Sequence, residues 1–313
     1  MKFAYTLKDY KKNNIVYDLI SGIIIAAVSI PISMGYAQIA GLPVVYGLYG
    51  SVFPIILFAL LSTSRQFIFG VDAAPAAMVG ASVMSLGIMP ESDAALKVVP
   101  LITLFTALWL LLFGVLKAGR LVSYISSPVM GGFISGICTT IIMMQVPKLY
   151  GGSAGTGELH ELLNHITTTI GDINVLSLKI GIITLMILLI SKKLFSKLPM
   201  AVIVMFAGAF VSFLQPDLLK GVKMLPAVDR GLHSIVLPVS DHISIEKFIM
   251  ISFSVAMVIM AETLLAENNF ARKNNYTINA NQELFAFGMA NMAAAFTGCC
   301  PVNGSVSRTA MNE

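Results

Sequence analysis

Apolar runs recur along the chain at 18–38, 46–62, 98–116, 121–146, 174–191, 199–215, 245–266 and 281–298. Each is close to the ~20 residues a helix needs to cross ~30 Å of hydrocarbon. Two further apolar stretches are interrupted. In "FIFGVDAAPAAMVGASV" (Phe67 to Val83) Gly70, Asp72 and Pro75 fall inside a segment running from 67 to 88, between the second and third runs. In "GCCPVNGSVSRTAMNE" Pro301, Asn303 and Gly304 break the chain after the last run, and a new segment opens at 303. A break facing lipid would leave backbone N–H and C=O groups without partners at several kcal/mol each, so both are expected inside protein or beside a cavity. The pattern predicts an all-α polytopic membrane protein.

The two breaks occupy matching places. Asp18, at the start of the first run, lies 52 residues before Gly70, and Ile245, at the start of the eighth segment, lies 59 before Gly304. Matching interrupted segments in two halves point to an inverted-repeat transporter with its site near the bilayer midplane. Seven segments separate the two starts, and an odd number inverts the second half. A chain extended through Phe67–Val71 and helical from Asp72 aims its first free N–H groups, and the positive end of its dipole, into the interior, where anions bind. Asp72 itself has three open roles: capping that helix, holding a cation, or turning aside.

Composition agrees with a membrane protein. The 313 residues are 57% hydrophobic and 12% charged, and the mean hydropathy is +0.84, values foreign to an ordinary soluble domain. Cys138, Cys299 and Cys300 lie in or beside apolar runs and suggest neither a disulfide framework nor a metal knuckle; they read as small packing residues. The net charge of +4 comes from basic residues in short links, which is a signature of membrane orientation rather than of nucleic-acid binding. With the N-terminus inside, twelve Lys and Arg fall on the cytoplasmic side against six outside, provided that 67–88 is a true crossing. Residues 1–17 then form a basic cytoplasmic segment without a signal-peptide cleavage pattern.

Other patterns carry no chemistry. "HELLNH" spaces His160 and His165 five apart, whereas a zinc-protease helix needs histidines four apart on one face. No G-x-x-x-x-G-K-[ST] loop argues for ATP-driven transport, so any pumping uses ion gradients. Gly131, Gly132 and Gly136 are expected at close helix contacts. The segments at 151–172 and 216–244 read as extracytoplasmic loops.

Three places carry stronger signals, and a fourth residue completes them. In the first run Pro31 removes a helix hydrogen bond and frees the Ala27 carbonyl beside Ser29, Ser33, Gly35 and Tyr36. The start of the broken segment at Asp72 is the second. The third is "NGSVSRT", where Ser305, Ser307, Arg308 and Thr309 open a helix whose arginine is costly in the bilayer unless it faces the bundle interior or a cavity. Glu262 lies about 22 Å along the helix from Lys247 and about 15 Å from Arg272 at 1.5 Å per residue, so it is deep in the membrane. An ionisable group there is a functional residue by default, with Arg308 as partner or as neighbour across the site.

The motifs "DLISGIIIAAVSIPISMGYAQIAGLPVVYGLYGSVFP", "STSRQFIFGVDAAPAAMVG", "NQELFAFGMANMAAAFTG" and "GSVSRTAMN" resemble those of the SulP family of anion transporters, the sulfate permeases and their animal anion-exchanger relatives. The resemblance implies seven plus seven inverted segments divided into core and gate, with broken segments 3 and 10 and the anion between their facing N-termini. Carried over by motif, it implicates Tyr36, Asp72, Ala73, Ala74, Ser305, Ser307 and Arg308 in substrate binding and Glu262 in ion coupling. It implies no cofactor and no metal, a homodimer in the bilayer, and a small inorganic or carboxylate anion as substrate, sulfate by family default.

The sequence departs from the family in places. Ile32 replaces the usual glutamine, Val71 the usual proline, and Ala266 stands where a hydroxyl ligand for sodium is expected. With the longer Glu262 in place of an aspartate, this favours proton over sodium coupling. The resemblance further implies a first repeat at 18–215, the start of a second at 245–313, and, in the family, four more segments and a STAS domain beyond this chain. The competing readings are a sodium-dependent bicarbonate or dicarboxylate transporter, a neutral nucleobase carrier, and a non-transporting truncated membrane protein.

Overall fold

The computed structural model describes residues 14–120, 127–153, 155, 159–194, 200–224 and 245–312. Helix occupies each of the eight expected apolar runs. The chain begins with α1 (Ile15–Ile39), then α2 (Val44–Tyr49) and α3 (Phe53–Leu61), so the second run is two helices joined by a turn at Gly50. The first broken segment is a short strand, β1 (Phe69–Val71), followed by α4 (Ala73–Ser85). Next come α5 (Asp93–Val115), α6 (Ser127–Leu149), α7 (Leu159–Thr169), α8 (Val175–Leu194) and α9 (Met200–Leu214). The second half supplies α10 (Ile245–Lys273), α11 (Ala280–Phe296), β2 (Val302–Gly304) and α12 (Val306–Asn312).

Among the described residues four stretches are long and apolar enough to cross a bilayer unaided: α1, α2 with α3, α5 and α10. A fifth is the pair α7 and α8, if that pair, bent by 120°, is one span.

The local signals explain most of these boundaries. Ser92 caps α5 by accepting from the Ala95 N–H at 3.3 Å, and Asn279 caps α11 by accepting from Asn281 and Gln282. α10 continues seven residues past its expected end at 266, and Arg272 and Lys273 sit in its last turn, where cations favour the helix dipole.

Three expectations need correction. The segment at 151–172 is not all loop, since α7 folds within it and buries Leu162 while its polar face stays exposed. Gly131, Gly132 and Gly136 meet no neighbour, and the described face of α6 that carries them is exposed. Close approach occurs instead at Gly80, where a Cβ would lie 2.0 Å from the Ile39 carbonyl oxygen, so its absence seats α4 against the end of α1. Of the three cysteines, Cys299 and Cys300 are buried packing residues as expected, while Cys138 is exposed.

The interior is assembled from both ends of the sequence. α11 packs on α5 and α3, α10 on α5 and α4, and α1 on α2, α4 and α12. Phe69 of β1 stacks between Phe58 of α3, at 4.6 Å, and Phe287 of α11, at 5.3 Å. Such offset aromatic pairs add ~1 kcal/mol each beyond the area they bury. α6, α7, α8 and α9 lie to one side, and α8 and α9 carry exposed Ile183, Leu189, Phe206 and Phe213, as a lipid-facing surface does.

Candidate anion site

The two breaks meet each other. β1 and β2 pair antiparallel, with Phe69 opposite Gly304, Gly70 opposite Asn303 and Val71 opposite Val302. This satisfies backbone groups that would otherwise be orphaned in the membrane interior. All six strand residues are buried. Because the strands are antiparallel, α4 leaves from one end of the ladder and α12 from the other. Their N-terminal ends therefore start from opposite ends of one short ladder.

Side chains lock the ladder. Asn291 of α11 accepts from the Val302 N–H at 2.9 Å and donates to the Val302 carbonyl at 3.0 Å. Thr263 of α10 bonds to Asn303 through its hydroxyl and accepts from the Gly304 N–H at 3.2 Å. The Ser305 N–H donates to the Ile68 carbonyl at 2.8 Å, and Thr309 accepts from the Ile68 N–H at 3.0 Å. Thr263→Val keeps the shape but strands a buried N–H and one face of Asn303, so it costs about 2 kcal/mol, read as a lower thermal unfolding midpoint in detergent. An unchanged midpoint would remove Thr263 from the lock.

Within this frame the expected residues assemble. Asp72 caps α4 by accepting from the Ala73 N–H at 2.9 Å, the first of the three roles left open. Pro75 has no N–H, and the Ala76 N–H reaches the Asp72 carbonyl at 3.4 Å. The free donor in that first turn is thus the backbone of buried Ala74. Ser305 stands beside the Asp72 carboxylate, and its hydroxyl is 3.4 Å from that of Ser307, which is exposed. Tyr36 of α1, half-buried, lies within electrostatic reach of Asp72, Arg308 and Glu262.

Arg308 carries the positive charge. It is fully buried, and its Nη2 donates to the Val71 carbonyl at 2.8 Å. Nη1 lies against Gly70, where a Cβ would come within 3.2 Å of it. Both Nη1 and Nε are buried without an acceptor. A buried charged donor left unpaired costs several kcal/mol, and an anion arriving beside it would remove that cost. Glu262 does not pair with Arg308: among the described residues no ion pair joins Arg308 to either carboxylate. Instead Glu262 accepts from Asn303 Nδ2 at 2.8 Å. Asn303 is therefore the residue that ties the Glu262 carboxylate to the ladder. The sequence marked it only as part of a chain break, and Thr263 and Asn291 gave no signal beyond being polar residues in apolar runs.

The chain is similar to known proteins in sequence and in fold. Residues 15–313 match the model of the sulfate permease family. A relative named "Probable sulfate transporter" from Mycobacterium tuberculosis is 29% identical over 98% of this chain and 54% of its own length. The structure of SLC26A9 superposes with a TM-score of 0.87 at 24% identity, over 98% of this chain and 51% of that one. The transmembrane domain of the cyanobacterial bicarbonate transporter BicA superposes with a TM-score of 0.83 at 20% identity, over 97% and 78%. These likenesses give the inverted-repeat transporter fold, and the chain spans about half the length of the curated relatives it matches.

Proposed function

The chain belongs to the sulfate permease family, and from that premise we propose that it forms the anion-binding core of a secondary transporter for a small anion, sulfate-like by family. It is an integral, multi-pass membrane protein. The single observation that carries the reading is Arg308, whose Nη1 and Nε are buried without acceptors at a ladder from which two half-helices depart.

Charge balance supports coupling to a cation. Asp72 and Glu262 place two carboxylates near one guanidinium, so an added anion is repelled unless a positive charge enters with it. Glu262 is the group we assign to that task, with a proton as the companion ion, because its one hydrogen bond is a single donation from Asn303. Asp72, held by its own cap, is assigned to positioning. Tyr36, Ala73, Ala74, Ser305 and Ser307 complete the assigned substrate site.

On this reading α1–α5 with α10–α12 form the core and α6–α9 part of the gate. The two repeats divide at 18–215 and 245–313, the N-terminus is cytoplasmic, the membrane is a bacterial inner membrane, and the protein works as a homodimer. A sodium-dependent bicarbonate transporter is the second reading, favoured by the fold shared with BicA.

Uptake of radiolabelled sulfate and bicarbonate into proteoliposomes carrying the complete protein tests both. Proton-driven sulfate uptake that falls at least tenfold in Glu262→Gln is the expected result. Uptake indifferent to both gradients and to the mutation would make Glu262 structural, and sodium-driven bicarbonate uptake would install the second reading.

A further inference from the structure

The core contains a second pair of carboxylates, outside the anion site. Glu267 lies five residues beyond Glu262 on α10, about 7.5 Å further along the axis and turned ~140° around it. It is fully buried. Neither of its carboxylate oxygens has a hydrogen-bond partner.

Its electrostatic neighbour is Glu283, in the first turn of α11 and also fully buried. The two differ sharply in what surrounds them. Glu283 accepts from the Ser62 hydroxyl at 2.7 Å and the Thr63 N–H at 2.6 Å, and also from the Thr63 hydroxyl. Thr63 Oγ1 in turn accepts from the Asn279 N–H at 3.0 Å. The link between α3 and β1 is thereby fastened to the start of α11. No basic side chain answers either acid: among the described residues no ion pair includes them.

The other ionisable groups around the pair are accounted for. Tyr276, in the link between α10 and α11, faces both acids, and its hydroxyl lies 3.2 Å from Ser64 Oγ. Burial pushes the pKa of that hydroxyl up, so it stays neutral. Arg65 is exposed and rests on the outside of the Tyr276 ring, 5.8 Å from its centroid. Arg272 and Lys273, at the end of α10, are exposed.

We propose that Glu267 and Glu283 form a proton-binding site between the C-terminal half of α10 and the start of α11 that holds one proton, on Glu267. An ionised carboxylate in a dry interior without donors is among the costliest groups a protein can bury, and it takes the neutral form instead. Two adjacent buried carboxylates cannot both ionise cheaply. The three donors on Glu283 stabilise a negative charge there, and the donor-free surroundings of Glu267 suit the un-ionised acid. The inference stands apart from the anion reading, because it rests on no residue of that site.

Infrared spectroscopy of the purified chain in nanodiscs tests it directly. At pH 7 the carbonyl stretch of un-ionised carboxyl groups should contain a component that disappears in Glu267→Gln and persists in Glu262→Gln. A spectrum unchanged by Glu267→Gln, or no such band in the wild type, overturns the proposal. A stability series gives the second readout. Wild type should lose thermal stability as pH rises and the proton is lost, whereas Glu267→Gln, a neutral mimic of the protonated acid, should fold and show a flatter profile. Failure of that neutral variant to fold, or a profile parallel to wild type, also overturns the proposal.

Discussion

Arg308→Gln weakens anion binding about a hundredfold, or ~3 kcal/mol, while leaving the fold in place. The arginine side chain presents Nη1 and Nε without acceptors, and a hydrogen bond to a charged partner is worth about 1.5–3 kcal/mol. Glutamine keeps one amide donor of the right polarity for the Val71 carbonyl, so the ladder retains support while the positive charge is gone. The guanidinium also balances the nearby carboxylates, so its loss lowers the thermal midpoint of the ligand-free protein. Direct titration of the purified protein with sulfate and bicarbonate, alongside thermal unfolding, separates the two effects. Equal affinity in mutant and wild type would remove Arg308 from the site.

Gly304→Ala has the largest expected effect on the fold. A Cβ built there lies 2.1 Å from the Phe67 ring and 2.6 Å from the Thr263 methyl. Phe67 packs against Phe270 at 5.9 Å, and Thr263 holds Asn303 and the Gly304 N–H. Neither can withdraw without loosening the ladder. Overpacking of this kind costs about 3 kcal/mol, and here it also displaces Asn303 from Glu262. Gly131→Ala is the control, since nothing stands within 4 Å of a Cβ at that position. A thermal midpoint for Gly304→Ala equal to that of Gly131→Ala would show that the ladder tolerates a side chain, contrary to its packing.

The sequence carried the broken segments because glycine, proline and a lone acid in an apolar run are local signals. Gly70 with Pro75, and Pro301 with Gly304, marked the places where helix fails. That the two breaks hydrogen-bond to each other was not legible. The pairing of Gly70 with Asn303 joins residues 233 positions apart, and three-residue strands have no periodicity to read.

The same limit governs the site. Arg308 and Glu262 announced themselves as charges in a membrane, but whether they pair depends on side-chain direction, and the answer is Asn303 and the Val71 carbonyl. Glu267 escaped because its neighbours, "AENN", read as the polar end of a helix that in fact continues to Lys273. α7 escaped because a short amphipathic helix between two spans looks, by composition, like a loop.

The ladder has a further consequence for energetics. In a carrier built on it, the starts of the two half-helices are tied by main-chain hydrogen bonds and by Asn291, so they travel together when the core shifts against its surroundings. The anion then meets the same ladder donors whichever compartment it faces. Whatever its affinity on each face, such a site by itself only equilibrates its ligand across the membrane. Accumulation against a gradient must come from work done elsewhere, by a second ion whose occupancy of the core differs between the two faces.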